Sequence, residues 1–117
     1  MESSTLELVK MIVSHLDDRK AEDVIALDVA HMTVLAEAFV IASGRSALQV
    51  RALYESLTEK LDETGAAPRR KEGISEGRWI VIDYGNVIVH LFHEQERAYY
   101  NLERLWTDGS NKIVINL

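Results

Sequence analysis

At 117 residues, with 13 Lys and Arg against 19 Asp and Glu and no cysteine, the chain has room for one domain with a real core and not for two. The lack of thiols excludes a disulfide framework, thiolate metal sites and a cysteine nucleophile. A formal net charge of -6 argues against dominant direct nucleic-acid binding and for a partner that is itself basic. No apolar run is long enough to span a bilayer, and Met1-Glu2-Ser3-Ser4 lacks the features of a signal peptide, so the expectation is a cytoplasmic protein with no membrane partner.

From Thr5 to about Asp18 the apolar residues Leu6, Val9, Ile12, Val13 and Leu16 recur at helical spacing, and Ser4 with Glu7 has the make-up of a capping box. The run Asp17-Asp18-Arg19-Lys20 reads as a solvated helix end and loop. Val24 to Val29 is short and mostly apolar between polar boundaries, the pattern of a buried strand. In His31 to Ala36, Met32, Val34 and Leu35 fit a loop or one helical turn, and His31 has no second metal ligand at a useful spacing. Ala38 to Ala42 is the next strand. It leads through Ser43-Gly44-Arg45-Ser46 into a long helix capped by Ser46 and Gln49, with Val50, Leu53, Tyr54, Leu57 and Leu61 on one face and Gly65 and Pro68 at its close.

A strand, a glycine turn and a helix start can hold an anion. One glycine with no following Lys-Ser or Lys-Thr meets neither phosphate-binding pattern, and a capped helix start is the simpler reading. Gly65 to Gly77 is a polar connector. Its Arg69-Arg70-Lys71 triplet is too short to imply nucleic acid by itself, but could touch phosphate at the edge of a larger contact.

The stretch from Arg78 to Trp106 organises the rest. Two β-prone runs flank Gly85-Asn86, the composition of a tight hairpin. Pairing Tyr84 with Val87 sets Ile82 against Val89 and Ile80 against Leu91 on one face, an ordinary core face. The other face collects Trp79 with Phe92, Val81 with His90 and Asp83 with Ile88. Two readings of this mixed face stand. In one, helices cover both sides of the sheet and Asp83 and His90 are hydrogen-bonded at its margin. In the other, it is a docking surface anchored by Trp79 and Phe92. A one-residue slip would exchange the two faces.

Glu94 to Trp106 is a helix with Ala98, Tyr99, Leu102, Leu105 and Trp106 on its apolar stripe. Arg97 and Tyr100 lie off the stripe's centre, either reaching back to the sheet or at the surface. Residues 107–117 form a tail whose β-prone part, Ile113 to Leu117, frames the sheet, packs on another subunit or is disordered. That tail or an open sheet face would equally support a homodimer. Element order gives one α/β or α+β domain over residues 1–117, a single mixed sheet of four or five strands with flanking helices.

Four segments together resemble the ribosomal silencing factor family, also called the Iojap family. They are Phe39-Val40-Ile41-Ala42-Ser43-Gly44-Arg45-Ser46, Glu76-Gly77-Arg78-Trp79-Ile80-Val81-Ile82-Asp83-Tyr84-Gly85, Val89-His90-Leu91-Phe92, and Arg97 through Trp106. The resemblance implies a nucleotidyltransferase-like fold without catalysis and without a cofactor or metal. It implies binding to the large ribosomal subunit through ribosomal protein L-fourteen, which blocks joining of the small subunit and represses translation under nutrient limitation. It carries over Trp79, Asp83, Tyr84, Gly85, His90, Phe92, Arg97, Tyr100 and Glu103 as partner-binding positions. Glu94 joins Asp83 and Glu103 as acidic complements to a basic ribosomal protein. Two positions depart from the family pattern: Ala38 stands where a Tyr is usual, and Asn86 where an acidic residue is.

The alternative is a nucleotide-binding enzyme that uses Gly44 and Ser46 around a phosphate. Metal-assisted nucleotidyl transfer wants two carboxylates converging on one face, whereas Asp83 is followed two residues on by Gly85, leaving Asp28 as a substitute. A metal site on His90 and His93 is weaker still, because residues three apart on a strand point to opposite faces.

Overall fold

The computed structural model describes residues 1–115; Asn116 and Leu117, the end of the β-prone tail segment, lie outside the described residues. The elements are α1 (Ser3–Asp18), β1 (Glu22–Asp28), β2 (Ala38–Gly44), α2 (Ala47–Asp62), β3 (Arg70–Glu72), β4 (Trp79–Asp83), β5 (Val87–His93), α3 (Glu94–Tyr100) and α4 (Leu102–Trp106). The strands form one five-stranded sheet in the order β1-β2-β5-β4-β3. Only β2 and β5 pair in parallel; the other neighbours are antiparallel. The mixed α/β architecture is the one expected.

Both long helices pack on one face of the sheet. There Val9, Ile12, Leu16, Leu53, Leu57 and Leu61 meet Val40, Ala42, Ile80, Ile82, Val89 and Leu91, all buried. The five apolar residues expected on one face of α2 are all buried, because a 3.6-residue period needs no tertiary information to be read. Every residue of β2 is buried, as suits a strand with a neighbour on each side and helices above. By contrast β1 lies at an edge and buries only Ala26 and Leu27 within its span, so the expectation of a wholly buried strand there is too strong.

The start of α1 also differs from expectation. Its N-cap is Glu2, which makes no side-chain cap bond, and no Ser4–Glu7 capping box forms. A carboxylate from elsewhere does the work. Glu37 accepts the backbone N–H of Glu2 at 3.3 Å and the Thr5 hydroxyl at 2.8 Å. The Asn86 amide, in the hairpin turn, donates to the same Thr5 oxygen at 3.0 Å. Asn86 thereby ties the hairpin turn to the first helix.

The connector 65–77 contains a strand that sequence reading missed. β3 has three residues, all charged and exposed, and runs antiparallel to β4 with Arg70 opposite Asp83. Gly73 ends it at φ +81, where a Cβ would stand 2.0 Å from the Trp79 carbonyl oxygen. Only glycine lets the chain close on β4 at that distance.

The single helix expected over 94–106 is two short ones. Asn101 sits between them at φ 47, ψ 51, a left-handed conformation that Asn tolerates better than most residues. The break changes which residues face inward. Ala98, Tyr99 and Leu105 of the expected stripe are exposed, while Arg97 and Leu102 are buried. Beyond α4 the tail frames the sheet. Lys112 bridges Leu27 antiparallel, and Asn111 donates to the Asp28 and Trp106 carbonyls at 2.9 and 2.8 Å.

Candidate functional site

The hairpin register is the expected one: Trp79 lies opposite Phe92, Val81 opposite His90 and Asp83 opposite Ile88. Continuing across the parallel pair, Ile88 neighbours Phe39 and His90 neighbours Ile41. Strand alternation places all of these on the face away from α1 and α2. Here α3 and α4 supply a partial cover. Leu102 and Trp106 join a second apolar cluster with Leu27, Phe39, Ile41 and Phe92, and Trp106 meets Phe39 edge-on with centroids 5.0 Å apart. Trp79, Val81, Asp83 and Ile88 stay only half-buried. The two readings of the mixed face thus divide it between them: one part is core and the other is open.

Phe92 belongs to the covered part. It is completely buried, so it cannot be an exposed anchor, and that expectation is corrected. Trp79 stacks on it at 4.8 Å, and Tyr100 packs on Trp79 at 5.0 Å. Burial therefore falls outward from Phe92 through Trp79 to Tyr100, which is 47% exposed. Tyr99 extends the step from Tyr100 at 5.1 Å. Tyr99 and Leu105, which helical spacing places inward, instead add apolar surface; helical spacing alone cannot set the phase of a broken helix.

His90 lies in the buried layer with Phe92. Its Nδ1 accepts the Trp79 indole N–H at 3.1 Å, so the neutral ring carries its proton on Nε2, which has no hydrogen-bond partner among the described residues. Burial pushes its pKa down to about 4. Well above pH 6.5 the histidine is neutral whether the chain is folded or not. As pH falls from there towards 4 the unfolded chain takes up a proton that the folded one refuses, and stability drops by about 3 kcal/mol. Denaturation midpoints at pH 7 and pH 4.5, compared with those of His90→Phe, read this loss; an identical pH response in both proteins would show that His90 does not contribute.

Asp83 closes the hairpin: its Oδ1 accepts the Gly85 N–H at 2.7 Å, with Gly85 at φ +93. Tyr84 projects to the helix-covered face. There it packs half-buried on the main core, and burial pushes its phenol up to about 12. Arg97 is 8% exposed. Its guanidinium donates to Ser43 Oγ at 2.9 Å, to the Glu22 carbonyl at 3.4 Å and to Glu103 Oε1 at 3.3 Å, so it fastens α3 and α4 to the sheet. Glu94 is exposed in the first turn of α3. Of the ten expected positions, Trp79, Asp83 and Tyr100 adjoin the open area. His90, Phe92, Arg97 and Glu103 support it from within, Gly85 shapes the neighbouring turn, Tyr84 belongs to the opposite face, and Glu94 is exposed at the start of α3.

The turn at Gly44 is closed on itself. Ser46 Oγ accepts the Gln49 N–H at 3.1 Å, and Gln49 Oε1 accepts the Arg45 N–H at 2.7 Å, which is the expected cap and occupies two of the donors at the turn. Asp28 and Asp83 stand on strands separated by β2 and β5 and, by alternation, on opposite faces, so they do not converge on one ion. Among the described residues no group of three or more His, Cys, Asp or Glu is placed to hold a metal. His93 caps α3, its Nδ1 accepting the Gln95 N–H. No helix among the described residues is long and apolar enough to cross a membrane.

A family model described as "Ribosomal silencing factor during starvation" matches residues 2–116. A ribosomal silencing factor from Halalkalibacterium halodurans is 45% identical over 106 residues, 91% of each chain. An X-ray structure of a protein from Chromobacterium violaceum superimposes with a TM-score of 0.85 at 36% identity, covering 100% of this chain and 94% of that one. More distantly, a mouse protein named for mitochondrial assembly of the ribosomal large subunit is 31% identical over 102 residues, 85% of this chain and 45% of its own. With the family model spanning all but the two terminal residues, and a relative matched at this identity over nine-tenths of both chains, this protein belongs to the ribosomal silencing factor family.

Proposed function

We propose that the chain binds the large ribosomal subunit through ribosomal protein L-fourteen, blocks joining of the small subunit, and so represses translation under nutrient limitation. It acts by occupying space in the cytoplasm, as one unit over residues 1–117, and catalyses no reaction. The observation that carries this reading is the open part of the second sheet face, where half-buried Trp79 is backed by Phe92 and flanked by Tyr100. A large aromatic held rigid from behind and exposed in front is the usual anchor of a protein interface, because it loses little freedom on binding. The names of the relatives point to ribosomes, and the chain's formal charge of -6 suits a basic ribosomal protein.

A contact able to exclude a subunit needs roughly 1,000 Å² or more of complementary surface. Trp79, Val81, Ile88, Tyr99, Tyr100 and Leu105 supply its apolar part, and Asp83 and Glu94 add charge that speeds and orients encounter and makes binding salt-sensitive, while Glu103 is engaged by Arg97. Trp79→Ala is expected to weaken large-subunit binding by about 2 kcal/mol while the fold persists. Unchanged affinity in a variant that has lost its cooperative melting would mean that Trp79 serves the core alone.

The direct test is sedimentation of purified large subunits with and without the protein, followed by addition of small subunits. Co-sedimentation together with fewer joined ribosomes is the expected result. No binding to large subunits at low salt would remove this reading.

A further inference from the structure

We propose that the exposed edge strand β3 is a second contact, one that takes the phosphate backbone of ribosomal RNA beside the protein-binding face. The inference rests on the docking reading above and adds a partner of different chemistry to it. Arg69, Arg70 and Lys71 are consecutive and all exposed; Arg70 and Lys71 begin β3, the outermost strand of the sheet, and Arg69 directly precedes it. This is a local concentration of positive charge on a chain whose formal net charge is -6.

The strand spreads the three cations round one edge. Arg70 is paired with Asp83 and Lys71 with Ile82, so Arg70 lies on the open face with Trp79 and Lys71 on the face of the long helices. Arg69 lies against the hairpin turn, where a Cβ on Gly85 would be 3.2 Å from its Cδ. Their charges are little used within the chain. Among the described residues Arg70 is in one ion pair, with Glu72 at 3.7 Å and both side chains well exposed, a pair of small worth and easily exchanged; Asp83, its cross-strand neighbour, makes none with it. Neither Arg69 nor Lys71 is in an ion pair among the described residues.

Continuity favours RNA over an acidic protein segment. Arg70 and Lys71 border the same small cleft as Val81, Asp83 and Ile88, so a subunit docked on the open face would bring its surroundings against β3. On a ribosomal surface, what surrounds a basic protein is phosphodiester. Such a backbone, with a charge at each nucleotide, can be met by cations fanned round an edge without base recognition. The overall negative charge keeps this contact subordinate to the protein one, since it opposes free RNA at long range and is screened only at close approach.

The test compares wild type with the triple variant Arg69→Gln/Arg70→Gln/Lys71→Gln, using Lys10→Gln/Lys20→Gln/Lys60→Gln, which removes the same three charges elsewhere, as a net-charge control. Melting temperature and sedimentation behaviour first establish that each variant is folded. Affinity is then measured against intact large subunits, isolated ribosomal protein L-fourteen and deproteinised large-subunit RNA over a range of salt. The triple variant is expected to bind large subunits about tenfold more weakly at low salt, with the slope of log Kd against log salt reduced by about 2. Its affinity for the isolated protein should stay as in wild type, and its weak low-salt binding of the RNA should be lost.

Equal affinity and slope for triple variant and wild type on subunits would overturn the RNA contact. So would an equal loss on the isolated protein, which would make the edge a site for an acidic segment. Self-association of the triple variant with subunit affinity intact would show instead that the charges only guard an exposed strand edge. Failure of wild type to bind subunits sinks the docking reading, and the RNA arm still decides the edge contact separately.

Discussion

Phe92→Ala is expected to lower stability by about 4 kcal/mol and to reduce ribosome binding only as a consequence. The ring is fully buried in the second apolar cluster with Leu27, Phe39, Ile41 and Leu102, and it backs Trp79 at 4.8 Å. Its loss leaves a cavity between sheet and α4 that the rigid β5 backbone cannot close, so the cost of the void adds to that of lost burial. Urea denaturation reads the stability, and subunit binding well below the variant's midpoint reads function. Phe92→Leu refills most of the space and should recover more than half of the lost stability. If Phe92→Ala melted like wild type yet failed to bind subunits, Phe92 would be an interface residue after all and its burial here would describe only the unbound protein.

A second large effect is expected at Arg97. Arg97→Ala should cost about 4 kcal/mol, since it strips a buried guanidinium from its acceptors and leaves Glu103 without its cation. Glu103 Oε2 already has no partner among the described residues, so losing the Nε bond to Oε1 leaves a half-buried carboxylate poorly satisfied. The damage should be local at first. Because Arg97 holds α3 to Ser43 and Glu22, hydrogen exchange should accelerate through residues 94–106 before the α1 and α2 amides respond. Arg97→Lys keeps the charge but not the fork, and should recover part of the loss. Uniform acceleration across the chain would show that α3 and α4 unfold only with the rest. A loss under 1 kcal/mol would show that the guanidinium does not fasten them.

These two residues mark where sequence reading succeeded and where it ran out. The partners of Phe92 and its face of the sheet followed from alternation and a two-residue turn. How far it was covered did not, because Leu27, Phe39 and Leu102 come from three distant segments. Arg97 could be read either as reaching towards the sheet or as surface, and its acceptors Ser43 and Glu22 lie 54 and 75 residues away. The left-handed Asn101 breaks the helical phase between α3 and α4, so no single stripe runs through 94–106, and Tyr99 before the break and Leu105 after it both lie at the surface. β3 escaped notice because three charged residues carry no period, and only the approach permitted by Gly73 makes them a strand.

By itself, then, the amino-acid sequence determined the α/β class, the apolar face of α2, the β4–β5 register and, through its ordered motifs, the family. Each of these depends on repeats or pairings closed within a few residues, or on motifs legible along the chain. Only the tertiary structure decided that one sheet face would be half covered, with Phe92 sealed beneath it, Trp79 at its margin and the Arg69–Lys71 triplet along its edge. Cover and exposure depend on which distant segments meet, and a buried arginine or a three-residue edge strand is stable only once those segments are in place.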